Sequence, residues 1–227
     1  MAQKLTITAS STALFSTWVF LEELGVAFDA GDGLVAGLLQ KSRKVRHVFA
    51  THADRNHLTG LLQFNQLNDR PRHPAKALRF VLQHRRRGLR SELVGLSGDE
   101  IARRRETEGA DAVTEERVDA VLGYSGDTSG LDPADWTGVK VLLHECTFLT
   151  PDTARCADTN LERLMSAASK MPLEALVLMH FSSRYERAEI ESAIRRGAEI
   201  HGLGFPVYAI YPGEVLRDVL NTQPVFG

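Results

Sequence analysis

Four apolar runs in this 227-residue sequence end in the same way. "VRHVFATHADRNH", "RVDAVLGYSGDTSG", "VKVLLHECTF" and "LEALVLMHFSSRY" each pass from strand-like residues into a His or Asp just as the apolar positions stop. Strand ends in a layered α/β protein converge on one rim, and such folds keep their sites there. One histidine at a strand end is ordinarily a satisfied structural residue. Four such ends, each with a side chain able to ligate a metal, point to a common site.

The rest of the chain supplies the layers. "KLTITAS" and "STWVFLEELGVAFDAGDG" alternate apolar and polar residues, as antiparallel strands with one buried face do. Gly31 and Gly33 close the second stretch. "LVAGLLQKSR" predicts a short helix, "VRHVFATH" a buried strand, and the spacing from Leu58 a helix to about Asn68. Residues 69–117 are the least patterned, and at least one helix is expected there, around Ala75 to Arg86. Strands are expected at "RVDAVLGYS", "VKVLLHEC", "LEALVLMHF" and "PVYAIYP", with helices at "NLERLMSAASKM" and "ERAEIESAIRRGAEIHG". No repeat or linker interrupts the pattern, so one domain over residues 1–227 is the simplest organisation.

Composition limits the function. Hydrophobic content of 43% can fill a core, and a net charge of −2 confines any nucleic-acid contact to a local patch. Cys146 and Cys156 make no disulfide framework and no zinc ribbon. The N-terminal stretch is broken by Ser and Thr, and no window approaches a spanning helix of roughly 18 to 20 apolar residues. A cytoplasmic protein with no membrane partner is the expectation.

In "HADRNH" a loop entering a helix lets His52, Asp54 and His57 aim at one point. Imidazole suits a borderline metal such as zinc, and carboxylate adds charge and can bridge two ions. Asp127 in "YSGDTSG" sits in a turn of small residues that can push a carboxylate into a cavity; capping its own backbone is the competing reading.

Five stretches together resemble the metallo-β-lactamase fold and, within it, the ribonuclease Z-like branch. "FDAGDG" looks like that branch's strand-to-glycine turn, "THADRNHLTG" is similar to its THxHxDHxxG loop, and "YSGDT" matches its bridging-aspartate motif. "LLHECTF" differs by one residue from its HEATF motif, and "LMHFSSRY" is close to its final His motif. The order and rough spacing agree from about Lys4 to Tyr185.

The resemblance implies an α/β four-layer αββα sandwich with one or two metal ions at the rim, usually zinc, with manganese or iron as alternatives. It implies that His52 binds the first metal and His57 the second, that Asp127 bridges, and that His180 completes the second site. Glu145 matches a glutamate that orients a proton-donating His. The implied activity is hydrolysis of a phosphodiester, RNA or a smaller diester, by metal-activated water. The wider fold also hosts lactonases and thioesterases, and the family includes homodimers.

The departures are specific. Asp54 stands where the family has its second His, and a carboxylate can replace it as a ligand. Asn56 stands where the family has an Asp that binds the second metal and orients the attacking water; a neutral amide is a poor ligand and no general base. A third first-site His has no counterpart; His73 and His84 lie in the interval without the right surroundings. Asp158 in "DTN" aligns with the proton-donor His. Only 70 positions separate His57 from Asp127, so the middle of the fold is expected to be trimmed. The weakened ligand set predicts one tight ion or two weak ones, and leaves open a relative that binds or regulates without catalysis.

Three other features have two readings each. The run with Arg70, Arg72, Lys76, Arg79, Arg85, Arg86, Arg87 and Arg90 is either a phosphate-binding surface or, more ordinarily, a solvated face. Cys146 replaces the motif's alanine and reads as a packed core residue in preference to a nucleophile. In "SSRYERAE", Ser182 or Ser183 reads as a helix cap, and Arg184 as a substrate contact.

Overall fold

A computed structural model of the chain describes residues 5–68, 78–128, 130–150 and 160–227. Two sheets form its centre. The first runs in the order β1 (Ile7–Thr12), β2 (Ser16–Leu21), β3 (Val26–Phe28) and β4 (His47–Phe49). The second runs β5 (Phe80–Leu89), β6 (Thr114–Tyr124), β7 (Val141–Glu145), β8 (Ala175–Met179) and β9 (Val207–Ala209).

Three apolar clusters separate four layers. Ile7, Val19, Leu21 and Phe28 meet Leu122, Tyr124, Leu143, Val177 and Met179 between the sheets. Trp18, Phe20 and Ala27 face Leu34 and Leu38 of α1 (Leu34–Leu38), with Leu61 and Phe64 of α3 (Gly60–Asn68) packed alongside. Leu142, Leu176 and Leu178 face Leu161, Leu164 and Met165 of α6 (Leu161–Ala168) and Ile190 and Ile194 of α7 (Arg187–His201). This is the expected αββα sandwich. Strands such as β2 and β8 are covered on both faces, which is why they read as continuous apolar runs.

The middle of the chain differs from the sequence reading. Phe80–Leu89 is a strand and not part of a helix; it pairs antiparallel with β6 over its whole length. Most of this ladder is solvent-exposed, so no buried stripe marks its period in the sequence. Residues 69–77 of the expected helix, with Arg70, Arg72, His73 and Lys76, lie outside the described residues. Between the two strands stand α4 (Gly98–Glu108), started by a Ser97–Glu100 capping box, and α5 (Ala110–Val113). Among the described residues, the interval before Asp127 therefore holds α3, a two-stranded hairpin and, within the hairpin, a 3-10 turn at Ser91–Leu93 followed by α4 and α5.

Two smaller corrections follow. The strand expected to be buried, β4, is an edge strand with His47 and Phe49 exposed. The helix expected to be capped at Ser182 or Ser183 starts at Arg187 with Glu186 as its N-cap, where Glu186 and Glu189 form the capping box. Residues 182–184 are left as a turn on the rim.

Candidate metal centre

Parallel pairing decides where the site lies. β3 with β4, and β6 with β7 and β8, run side by side, so their C-terminal ends share one rim. Asp29 follows β3, Thr51 and His52 follow β4, Asp127 follows β6, Glu145 ends β7 and His180 follows β8. His57 comes from the short helix α2 (Arg55–Leu58) that the loop enters. Backbone bonds sew α2 to the end of β3: Ala30 N donates to His57 O and Gly60 N to Ala30 O, both at 2.8 Å. Gly31 and Gly60 permit this contact, since a Cβ on Gly31 would lie 2.3 Å from Asn56 O and one on Gly60 2.1 Å from Gly31 O.

Three imidazoles and one carboxylate converge. The Nε2 atoms of His57 and His180 lie 3.4 and 3.3 Å from Asp127 Oδ1, and His52 Nε2 lies 3.7 Å from Asp127 Oδ2. The rings of His52 and His57 are 4.1 Å apart between centroids, and those of His57 and His180 5.7 Å. Donor atoms of His52, His57 and Asp127 all fall within 4.8 Å of one another. Gly126 brings the aspartate in: it sits at φ +58°, and a Cβ there would strike the Thr51 side chain at 2.5 Å.

The second nitrogen of each ring is fixed from behind. Asp29, fully buried, accepts from Thr51 N at 2.7 Å, Thr51 Oγ1 at 2.8 Å and the Tyr124 hydroxyl, and pairs with His57 Nδ1 at 2.9 Å. A hydroxyl has one hydrogen, and that of Thr51 goes to Asp29. Thr51 Oγ1 must then accept from His52 Nδ1, 2.9 Å away. The arrangement recurs on the other side. Thr147 Oγ1 donates to Glu145 at 2.8 Å and accepts from His180 Nδ1 at 3.2 Å. Hydrogen-bond logic thus puts the ring proton of each neutral imidazole on Nδ1 and aims its Nε2 lone pair at the Asp127 carboxylate.

That arrangement is unfavourable unless something positive sits among the acceptors. His57 Nε2, His180 Nε2 and Asp127 Oδ1 are all buried without a hydrogen-bond partner. Buried polar atoms are ordinarily paired, so three orphaned acceptors facing one another fit a cation. Without a metal, the charge falls on His57. Burial pushes its imidazole down, but the Asp127 and Asp29 carboxylates outweigh that and raise it to about 9. Burial also works to raise Asp127, and the three histidines outweigh it, holding the carboxyl below its usual range. Burial lowers His180, keeping it a neutral donor, and holds the Tyr124 phenol well above its ordinary value, with Asp29 adding to the effect.

The remaining candidates are placed as follows. Asp54 lies 3.4 Å from His52 Nε2 with its side chain 76% exposed, at the outer edge of the cluster. Asn56 is half-buried in α2. Glu145 is buried and acts through Thr147. Arg184 is exposed, stacked 4.6 Å over Phe148 and 4.9 Å over Tyr185. Asp158 lies outside the described residues. Sequence reasoning missed Asp29, although "FDAGDG" displays it. The signal was a carboxylate directly after an apolar strand, at φ +56°, a backbone conformation that His180 shares at φ +62°.

Cys146 is buried in the core, and burial pushes its thiol up, which suits packing and not nucleophilic attack. The arginines of the hairpin face acids: Arg79 pairs with Asp135, Arg85 with Glu116, Arg86 with Asp119, Arg87 with Asp111 and Arg90 with Glu92. The described part of the basic run is therefore a mutually neutralised, solvated face. No helix among the described residues is long and apolar enough to cross a membrane.

No family model matches the chain. Two curated proteins of Arabidopsis thaliana match about half of it. tRNase Z TRZ1 is 30% identical over 132 residues, 54% of this chain and 46% of that protein. Chloroplastic tRNase Z TRZ2 is 29% identical over 125 residues, 51% of this chain and 35% of that protein. The matches thus span half or less of those relatives' length. Among solved structures, the metallo-β-lactamase fold protein YhfI of Bacillus subtilis has a TM-score of 0.61 at 12% identity, covering 94% of this chain and 100% of its own. A diphosphatase of the PhnP family has a TM-score of 0.54 at 13% identity, covering 97% and 99%. The short form of human tRNase Z gives 0.51 at 17%, covering 93% and 98%. The chain is a metallo-β-lactamase-fold protein. Within that class, the matched half of its sequence is similar to the two tRNase Z proteins.

Proposed function

We propose that the chain is a metal-dependent hydrolase that cleaves a phosphodiester, RNA or a smaller diester. The observation that carries this is the set of three buried, unpartnered acceptors on His57, Asp127 and His180. These residues would hold one ion, zinc by the nitrogen and oxygen donor set, with manganese or iron as alternatives. His52, Asp54 and the shared Asp127 would hold a second, weaker one. A divalent ion there supplies Lewis acidity, drawing charge from a phosphoryl oxygen and making water more acidic.

The protein's own groups do the rest. Asp29 and Glu145, one directly and one through Thr147, hold His57 and His180 in the ligating tautomer. Arg184, its guanidinium set over the Phe148 and Tyr185 rings, offers N–H donors to a phosphate oxygen. Asn56 can hydrogen-bond the attacking water but cannot take its proton. RNA as substrate is supported by the tRNase Z names of the curated relatives.

The test is metal content by mass spectrometry after zinc reconstitution, with hydrolysis of bis(p-nitrophenyl) phosphate and of a precursor tRNA. Near-stoichiometric zinc and turnover lost in Asp127→Ala are expected; protein that takes up no metal refutes the proposal. Asn56 favours a second reading, a binding protein on the same fold. It predicts metal-loaded protein that binds RNA without turnover, and Asn56→Asp separates the two by restoring cleavage only if the site is otherwise competent.

A further inference from the structure

β6 and β7 pair in register only as far as Tyr124 with Leu143, while β7 and β8 stay paired as far as Glu145 with Met179. β6 leaves the ladder early because its chain turns at Gly126, φ +58°, to carry Asp127 into the metal centre. Ser125 sits at the point of departure. Its N–H still makes the regular ladder bond, to Leu143 O at 3.0 Å. In a regular parallel ladder the next bond would run from Glu145 N to the Ser125 carbonyl. Glu145 N donates instead to Ser125 Oγ, also at 3.0 Å.

The side chain thus stands in for its own residue's carbonyl, a substitution open to a serine hydroxyl beside a turn. The hydroxyl hydrogen goes to Gly126 O at 2.7 Å, on the peptide that leads into Asp127. Ser125 is buried, at 4% exposure, so water cannot replace either bond. Across the next seam, between the ends of β7 and β8, backbone groups make the links: Cys146 N to Met179 O at 2.8 Å and Ser182 N to Thr147 O at 3.1 Å. At the Asp127 seam a side chain makes the link, and its hydrogen also fixes the turn.

We propose that Ser125 is a positioning residue for the metal centre, whose hydroxyl holds the Gly126–Asp127 peptide so that the Asp127 carboxylate faces His57 and His180. This rests on the metal-centre reading above. Asp127 Oδ1 lies 3.4 Å from His57 Nε2 and 3.3 Å from His180 Nε2, distances that a rotated peptide would open. Removing the hydroxyl leaves Glu145 N and Gly126 O buried without that partner. The ladder can repair the first loss by closing one residue further, with the carbonyl at position 125 accepting from Glu145 N. That repair unwinds the turn at Gly126 and withdraws Asp127 from the cluster.

Zinc affinity by chelator competition at one fixed pH, read beside urea midpoints, tests this. Ser125→Ala is expected to bind zinc about 10- to 100-fold more weakly than the wild type, and Ser125→Thr, which keeps the hydroxyl, within about threefold of it. Ser125→Cys fills the same space with a weakly bonding thiol, should fall between them, and carries the test if Ser125→Ala does not fold. Ser42→Ala is the control. It removes another buried hydroxyl bond, to Leu39 O at 2.7 Å in the 3-10 turn Leu39–Lys44, and should lower the urea midpoint with zinc affinity unchanged. Zinc affinity within about threefold of the wild type in Ser125→Ala, or in Ser125→Cys where that stands in, overturns the proposal, as does equal weakening in Ser125→Thr or in Ser42→Ala. Wild-type protein that takes up no zinc removes the metal-centre reading, and the positioning role with it.

Discussion

Metal-free protein should lose stability between pH 6.5 and 9, because His57 carries a proton there in the folded state. Its ordinary value is 6.5, and the Asp127 and Asp29 carboxylates raise it, against burial, to about 9. A group raised on folding contributes stability that is fully present below its unfolded value and is lost as pH rises through its folded value. At about 1.36 kcal/mol per pH unit, the window from 6.5 to about 9 corresponds to about 3 kcal/mol. That is a large part of a typical total of about 5–15 kcal/mol. The other resolved shifts leave the window clear. His180 and Asp127 are lowered and act at or below 6.5, and Tyr124 and Tyr211 are raised above 10. Urea denaturation of chelator-treated protein at half-unit steps should show the loss, and His57→Gln should flatten the curve. Wild-type stability constant across the window, or the same slope in His57→Gln, would refute the argument that His57 substitutes a proton for a cation.

Zinc should reverse this dependence, since ligation requires neutral His57: apparent affinity should rise about tenfold per pH unit from 7 to about 9, measured by chelator competition. Asp29→Asn should weaken zinc binding about 10- to 100-fold at pH 9.5, where proton competition is gone, and unchanged affinity there would deny Asp29 its positioning role. Gly126→Ala should cost about 1–2 kcal/mol for the left-handed backbone alone, with added strain against Thr51, read as a lower urea midpoint.

Much of the site was legible because the features that mark it are local. Each of His52, His57, Asp127 and His180 stands next to an apolar run that announces a strand end, and the family motifs cover the same stretches. Asp29 was visible in "FDAGDG" but not as a site residue. Its partner His57 is 28 positions away, and only the β3–β4 pairing and the return of α2 bring them together. The two threonine relays were hidden for a related reason. A hydroxyl's role depends on which carboxylate takes its hydrogen, and Asp29 reaches Thr51 across 22 positions.

The hairpin shows the opposite limit. "RFVLQHRRRGLR" reads in part as helix because its ladder partner begins at Thr114 and its faces are mostly in water, so nothing local marks it as a strand. Its arginines left a phosphate surface open beside the more ordinary solvated face, and the paired strand supplies acids for Arg85 and Arg86 that favour the latter.

The sequence by itself determined the layered α/β class, the strand ends that carry the metal-capable residues and the Asn56 substitution, since these depend on residue type and short-range period. Tertiary structure alone decided that the three Nε2 lone pairs meet at Asp127 and that Asp29 and Glu145 stand behind them. Each of those facts is a meeting of strands distant in sequence, and hydrogen-bond direction and burial exist only once the strands have met.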